Sequence, residues 1–211
     1  LYTDDEKIYR MISHKSKLIR NVDLVISYLF WKRIRNPLIK IGRLGCINFH
    51  PAPLPDCKSR AGYNTAILDQ RNSFGASVHF IDSEKFDNGP IIQVLKFNIE
   101  KEHETAYSLE EKTQRKLFEL FKYTIDKFKR GEIMRTYKNK GGLYLTANEL
   151  EALKEIDPAR ETADDIDRKI RAFFFPPYRG ATITIHDHKF TLLNDEVLKF
   201  ISQRMKKKKI C

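Results

Sequence analysis

Apolar positions divide the chain into short blocks whose spacing changes from one to the next. Ile8, Met11, Ile12 and Leu18 recur weakly at helical spacing, which predicts a surface helix over 8–18. Residues 23–29 (Asp-Leu-Val-Ile-Ser-Tyr-Leu) hold a run of apolar side chains without alternation, the pattern of a buried parallel strand. Residues 30–34 follow it as a loop. A central strand is expected over 45–49, and a helix over 63–70, starting just after Ala61-Gly62. Residues 75–81 alternate, with Ala76, Val78 and Phe80 set against Ser77, His79 and Ile81, as in a half-exposed strand. His79 then faces away from Val78 and reads as a satisfied structural histidine. Residues 91–99 read as its partner, antiparallel across the loop 82–89.

The second half is mostly helical. Ser108-Leu109-Glu110-Glu111 has the form of a capping box and opens a long helix. Leu117, Leu120, Phe121, Thr124, Ile125 and Phe128 recur along it, Gly131 ends it, and its apolar face is expected to cover the sheet. From Arg135 the periodicity lapses, and 137–144 reads as a polar surface linker. Thr146 with Glu149 and Thr162 with Asp165 each cap a short helix, and Pro176 and Pro177 end the second. Residues 181–185 and 189–193 predict a hairpin about His186-Asp187-His188. Two histidines in one turn suggest a metal, but no Cys, Asp or His cluster accompanies them, so a polar turn is expected and no metal. The elements together give an α/β fold. A core over 1–134 is followed by an extension of helices and a hairpin over 135–203, then a basic tail over 204–211.

Composition narrows the function classes. Hydrophobic residues make up 41% of the 211, with 14 Phe and 9 Tyr, enough for a sizeable core. No apolar run approaches the length of a membrane span. Cys46, Cys57 and Cys211 form neither a disulfide framework nor a zinc pattern, which fits a reducing, cytoplasmic setting. The formal charge is +11, and the run from Arg204 to Lys209 supplies five of those charges as a solvated, frayed end. The remaining excess suits a phosphorylated small molecule or a nucleic acid, and charge alone does not choose between them.

The chemistry concentrates in two stretches. In Cys46-Ile47-Asn48-Phe49-His50-Pro51-Ala52-Pro53-Leu54-Pro55, Asn48 and His50 are two apart and project to one side of a strand, and three prolines stiffen the exit. In Phe86-Asp87-Asn88-Gly89-Pro90-Ile91-Ile92, an Asp sits on a turn before an apolar run. An amide, an imidazole and a carboxylate are suitable parts for acyl transfer: a donor to an oxyanion, a proton carrier, and a base or orienting group. Taken singly each has a plain alternative, a strand-end cap for Asn48 and His50 and an ordinary turn residue for Asp87.

Asn48-x-His50-Pro51-x-x-Leu54-Pro55, then Gly75-Ala76-Ser77-Val78-His79, then Asp87-x-Gly89-Pro90-Ile91-Ile92 resembles the signature of the folate-dependent formyltransferases. The matching blocks run over about 23–97, with a further block near 171–185. The resemblance implies a Rossmann-like core that transfers a formyl group from N10-formyltetrahydrofolate. It implies Asn48 as oxyanion donor, His50 as oxyanion or proton-transfer group, and Asp87 as base and orienter, its carboxyl raised by a dry crevice. It makes Phe30, Trp31 and Lys32 a wall of the folate pocket, with Trp31 as a packing residue the alternative. Asp82, Phe86, Asn88 and Gly89 would frame the pteridine. Such a core opens with a strand and helix before residue 22, so about thirty residues or more are expected ahead of Leu1.

The acceptor is less closely specified. Ala52-Pro53-Leu54-Pro55 with Gly62-Tyr63-Asn64, and a short C-terminal extension, is similar to the sugar N-formyltransferases acting on nucleotide-linked, commonly dTDP-linked, amino sugars. Phe174, Phe175, Tyr178 and Arg179 would serve base and pyrophosphate, with Lys58, Tyr63 and Asn64 near phosphate or sugar; docking of the extension is the alternative for 173–175. Surface-polysaccharide synthesis and a homodimer follow from the resemblance. No nucleic-acid partner is expected. Methionyl-tRNA formyltransferase and a non-catalytic, nucleic-acid-binding relative remain alternatives.

Overall fold

A computed structural model describes residues 5–14, 19–58, 61–142 and 144–208. The architecture is mixed α/β, as expected, and it divides into two compact units. The first comprises Leu1–Lys58, Gly75–Leu95 and Lys116–Gly142, and the second Ser59–Phe74, Lys96–Arg115 and Leu143–Cys211.

In the first unit, helix α1 (Asp5–Ser13) precedes β1 (Val25–Tyr28), a short 3-10 turn at Leu38–Lys40, and β2 (Cys46–His50). With β3 (Ser73–Phe80) and β4 (Ile91–Asn98) they form a sheet of order β1-β2-β3-β4. The β1–β2 pair is parallel and the β2–β3 pair antiparallel, with Asn48 opposite His79 and His50 opposite Ser77. The core is built from Ile47 and Phe49 of β2, Ala76 and Val78 of β3, and Leu117 and Leu120 of helix α3 (Ala106–Lys129). A large apolar side chain removed from water in this way contributes about 1.5–3 kcal/mol.

Four expectations need correction in this unit. Helix α1 starts and stops earlier than 8–18, and 15–18 lie outside the described residues. β1 is not a buried strand: in the described sheet it lies at the edge, and Ile26 and Leu29 are exposed. β3 is not half-exposed, because residues 74–79 are buried on both faces. Its alternating polar residues mark a buried polar face. Nor is 137–144 only a linker, since Tyr137 exchanges two backbone hydrogen bonds of 3.0 Å with Ile91. Gly131 does close α3, at φ +69.

The second unit holds α2 (Gly62–Leu68), α4 (Ala147–Ala152), α5 (Ala163–Phe173), the β5–β6 hairpin (Thr182–Ile185, His188–Thr191) and α6 (Asp195–Lys208). Both capping boxes expected at Thr146 and Thr162 are present with reciprocal bonds. The box at Ser108 is displaced by three residues: Thr105 caps α3, its hydroxyl accepting from Ser108 N while Ser108 Oγ accepts from Thr105 N. The local rule favours Ser-x-x-Glu, but Thr105 fits the same rule one turn earlier with Ser108 as its partner. The hairpin turns on His186 and Asp187 alone, with φ of +46 and +65, and His188 belongs to β6. The basic run begins on a helix rather than a frayed end, since α6 runs through Lys208. Arg204 lies over the rings of Tyr107 and Phe200 at 4.8 and 4.9 Å and pairs with Glu111.

Candidate active site

The largely buried polar face of β2 and β3 follows from the strand period. Asn48 and His50 alternate with the core residues Ile47 and Phe49, and Ser77 and His79 alternate with Ala76 and Val78. Antiparallel register sets the two polar pairs opposite each other, where facing side chains touch. Ser77 Oγ donates to Ala52 O at 2.6 Å and accepts from Leu54 N at 2.8 Å, which fixes the proline-rich exit from β2.

His79 is only 2% exposed. Its Nδ1 lies 2.7 Å from Phe80 O, which can only accept, so Nδ1 carries the proton and Nε2 is an acceptor. Asn48 Nδ2 stands 3.1 Å from that Nε2 and therefore donates to it. One Asn48 N–H is thereby committed, the amide is held from flipping, and the second N–H remains for a ligand. His79 is satisfied as expected, but it is also the group that orients Asn48. Its position directly across from Asn48 was the missing signal, and it depends on register rather than on local sequence.

Asp87 comes from the turn between β3 and β4, in the left-handed region at φ +48. Gly89 follows where a Cβ would lie 1.8 Å from Phe80 O, so no other residue fits there. Asp87 Oδ1 is 3.3 Å from His50 Nδ1 and 3.8 Å from His79 Nε2. On its other side, His50 Nε2 is 3.1 Å from Cys57 O and donates to it.

The two titrating groups shift in the same direction for different reasons. Burial pushes the His50 imidazole below its ordinary value, against the opposing pull of Asp87 and the Cys57 carbonyl, with His79 adding to the fall. Burial would raise the Asp87 carboxyl, but contact with His79 and the charges of His50, His79 and Lys58 outweigh it and hold it below the usual carboxylate range. The expected raised carboxyl is corrected: the approach of these side chains to Asp87 is set by the fold and is not legible in the sequence. With His50 neutral and its proton on Nε2, the Nδ1 lone pair faces an ionised carboxylate across 3.3 Å. That gap between two acceptors is a place for an arriving proton.

Two loops of the same unit carry exposed rings. Phe30, Trp31 and Phe86 are exposed, Trp31 to 67%, so it is not a packing residue. Arg33 lies 5.3 Å over the Phe86 ring and Asn36 N donates to Glu84 at 3.1 Å, which hold the two loops together. Lys32 lies 5.3 Å over the Trp31 ring. Three solvent-facing rings fit a flat, partly apolar ligand. Asp82 and Asn88 belong to the Asp87 loop, and Lys58 Nζ donates to Asn139 O at 3.3 Å.

The remaining candidates lie in the second unit. Asn64 Nδ2 donates to Ala172 O at 2.7 Å and ties α2 to α5. Tyr63 stacks with Phe175 at 6.5 Å, and Phe175 contacts Tyr178 at 6.0 Å. Phe174 is buried against Tyr107 and Phe200, a docking role. Tyr178 is 70% exposed, and Arg179 follows it. Among the described residues no group of three or more His, Cys, Asp or Glu is placed to hold a metal, and no helix is long and apolar enough to cross a membrane.

A model of the formyl transferase family matches residues 9–124. The chain is 31% identical over 163 residues to GDP-perosamine N-formyltransferase of Brucella melitensis, covering 77% of this chain and 61% of that one. It is 25% identical over 165 residues to methionyl-tRNA formyltransferase of Bacillus cereus, covering 78% of this chain and 52% of the relative. The chain therefore spans between half and two thirds of the length of these relatives. A crystal structure of a 4-N formyltransferase from Francisella tularensis superposes with a TM-score of 0.73, at 24% identity, over 90% of this chain and 80% of that one.

Proposed function

The chain belongs to the formyl transferase family, and from that premise we propose that it transfers a formyl group from N10-formyltetrahydrofolate to the amine of a nucleotide-linked deoxyamino sugar. The observation that carries this reading is the convergence of the half-buried Asn48 and Asp87 on the buried His50, with donors and acceptors left over. The folate would supply an activated formyl group, and Phe30, Trp31 and Phe86 are the exposed rings that would hold it. Asn48 directs its second N–H at the formyl oxygen and meets the negative charge that develops there, an interaction worth about 10²–10³ in rate. The attacking amine must lose a proton. The His50 Nδ1–Asp87 Oδ1 gap receives it, with Cys57 O holding the ring in orientation, and returns a proton to N10 as the bond from the formyl carbon to N10 breaks and tetrahydrofolate leaves.

The sugar acceptor is favoured by the Brucella relative, whose name specifies a GDP-linked amino sugar. The Pro-Ala-Pro-Leu-Pro and Gly-Tyr-Asn stretches support the same class, with a dTDP carrier the narrower proposal. Residues Tyr63, Phe175, Tyr178 and Arg179 are the candidates to meet its base and pyrophosphate. Incubation with the formyl donor and a panel of dTDP- and GDP-linked 3- and 4-amino sugars, beside methionyl-tRNA, tests the reading by mass spectrometry. One sugar nucleotide gains a formyl mass, and the gain disappears in Asn48→Ala and Asp87→Ala. Formylation of the tRNA alone would transfer the assignment to the acceptor named for the Bacillus relative.

A further inference from the structure

Asp87 presents its carboxylate from a backbone conformation that L residues seldom adopt, so something must hold the turn. The Asn139 side chain does so. Its Nδ2 donates to Asp87 O and to Gly89 O, both at 2.9 Å, using both amide hydrogens on the two carbonyls that bracket the turn. Asn139 is only 8% exposed, and its Oδ1 has no hydrogen-bond partner. A buried acceptor left empty is unfavourable, so what this side chain contributes there is its two donors.

The backbone around Asn139 is itself fixed at several points. Two residues earlier, Tyr137 is bridged to Ile91, at the start of β4. Three residues later, Gly142 at φ +92 passes so close to Pro55 that a Cβ would lie 1.8 Å from its carbonyl oxygen. Asn139 O accepts from Lys58 Nζ at 3.3 Å, and the neighbouring Cys57 carbonyl is the one that orients His50. The segment 137–142 thus touches the carriers of both partners of the His50–Asp87 pair.

From this geometry we propose that Asn139 is a positioning residue that holds the Asp87 carboxylate facing His50 across the 3.3 Å gap; its catalytic consequence rests on the formyl-transfer reading. The groups facing His50 are Asp87 and His79 together with the Cys57 carbonyl, and Lys58 acts on Asp87. Release of the turn withdraws the anion from His50, and burial together with His79 then favours the neutral ring against the smaller pull of the Cys57 carbonyl.

The test uses the full chain, with Asn139→Leu to remove the donors at similar size and Asn139→Gln as the conservative change. NMR titration of the His50 ring protons reports the pair without reference to any acceptor. In Asn139→Leu the midpoint falls below that of the unaltered chain, kcat falls about a hundredfold for an ångström-scale misplacement, and KM is unchanged. Asn139→Gln recovers part of both. If Asn139→Leu does not fold, Asn139→Ala removes the same donors without bulk and is read in the same way. An unchanged His50 midpoint and kcat in a folded donor-less variant would overturn the proposal. If the unaltered chain formylates nothing while the midpoint still falls in Asn139→Leu, the positioning role stands and the formyl-transfer reading fails.

Discussion

Buried and half-buried polar side chains occur in both units, and they are used in opposite ways. In the second unit, Arg171 directs Nη1 to Lys101 O and Glu104 O at 2.8 and 3.1 Å and Nε to Asp167, and Asn64 donates to Ala172 O. These groups spend their donors closing the chain on itself. In the first unit, Asn48 is oriented by His79 and His50 stands 3.3 Å from Asp87, and an N–H on Asn48 and an acceptor gap beside Asp87 are left over. A fold gains little from such residual capacity, since an incompletely satisfied buried network costs stability. Where the unspent valence collects is where a substrate is expected.

The sharpest way to break that contrast is to change the carboxylate. Asp87→Asn keeps the shape and removes the proton acceptor, and kcat falls by about 10²–10⁴. The pH profile gives a second readout. His50 sits below its ordinary 6.5, so the acid limb of kcat/KM lies below that value. Because Asp87 raises His50, its removal moves the limb lower still, whereas an unmoved limb would deny their coupling. Stability carries the same sign: between the native His50 value and 6.5 the unfolded chain binds more protons, so the melting temperature rises with pH across that window. Asp87, below its ordinary 3.8 in the native state, contributes stability that is present above 3.8 and lost as pH falls through the native value.

A smaller effect is expected one residue away from the chemistry. His79→Leu removes the acceptor that fixes the Asn48 amide, and loss of one orienting hydrogen bond corresponds to about a tenfold fall in kcat. His79→Gln, which offers an oxygen at a similar height, regains much of it. If His79 were only a core residue, both variants would lower the melting temperature and leave kcat alone.

The legibility of the molecule follows the same divide. Asn48, His50 and Asp87 can be read from the sequence because each sits in a motif with its own local geometry, an i, i+2 pair on a strand and an Asp before Gly-Pro. The capping boxes at Thr146 and Thr162 are equally local. His79 and Asn139 are not legible as site residues. The first depends on the register of β3 against β2, and the second on a backbone bridge to Ile91 across the sequence. The alternation over 75–81 is plain in the sequence, but alternation alone does not distinguish a polar face in water from a polar face in a site. The same limit applies to the carboxyl shift, which is decided by groups from three separate segments.

The smallest expected effect tests the structural side of the contrast. Asn64 is a substrate candidate by its Gly-Tyr-Asn context, yet its amide nitrogen is committed to Ala172 O at 2.7 Å, between α2 and α5. Asn64→Ala deletes that bond and leaves a buried carbonyl unpaired, a loss of about 1–3 kcal/mol. For a chain of this size that corresponds to a melting temperature lower by about 2–4 °C per kcal/mol. With the amide occupied, the Michaelis constant for the acceptor and kcat should both stay at the unaltered value. A raised Michaelis constant with an unshifted melting curve would reverse the assignment, returning Asn64 to the substrate and weakening the rule that backbone-committed amides belong to the fold.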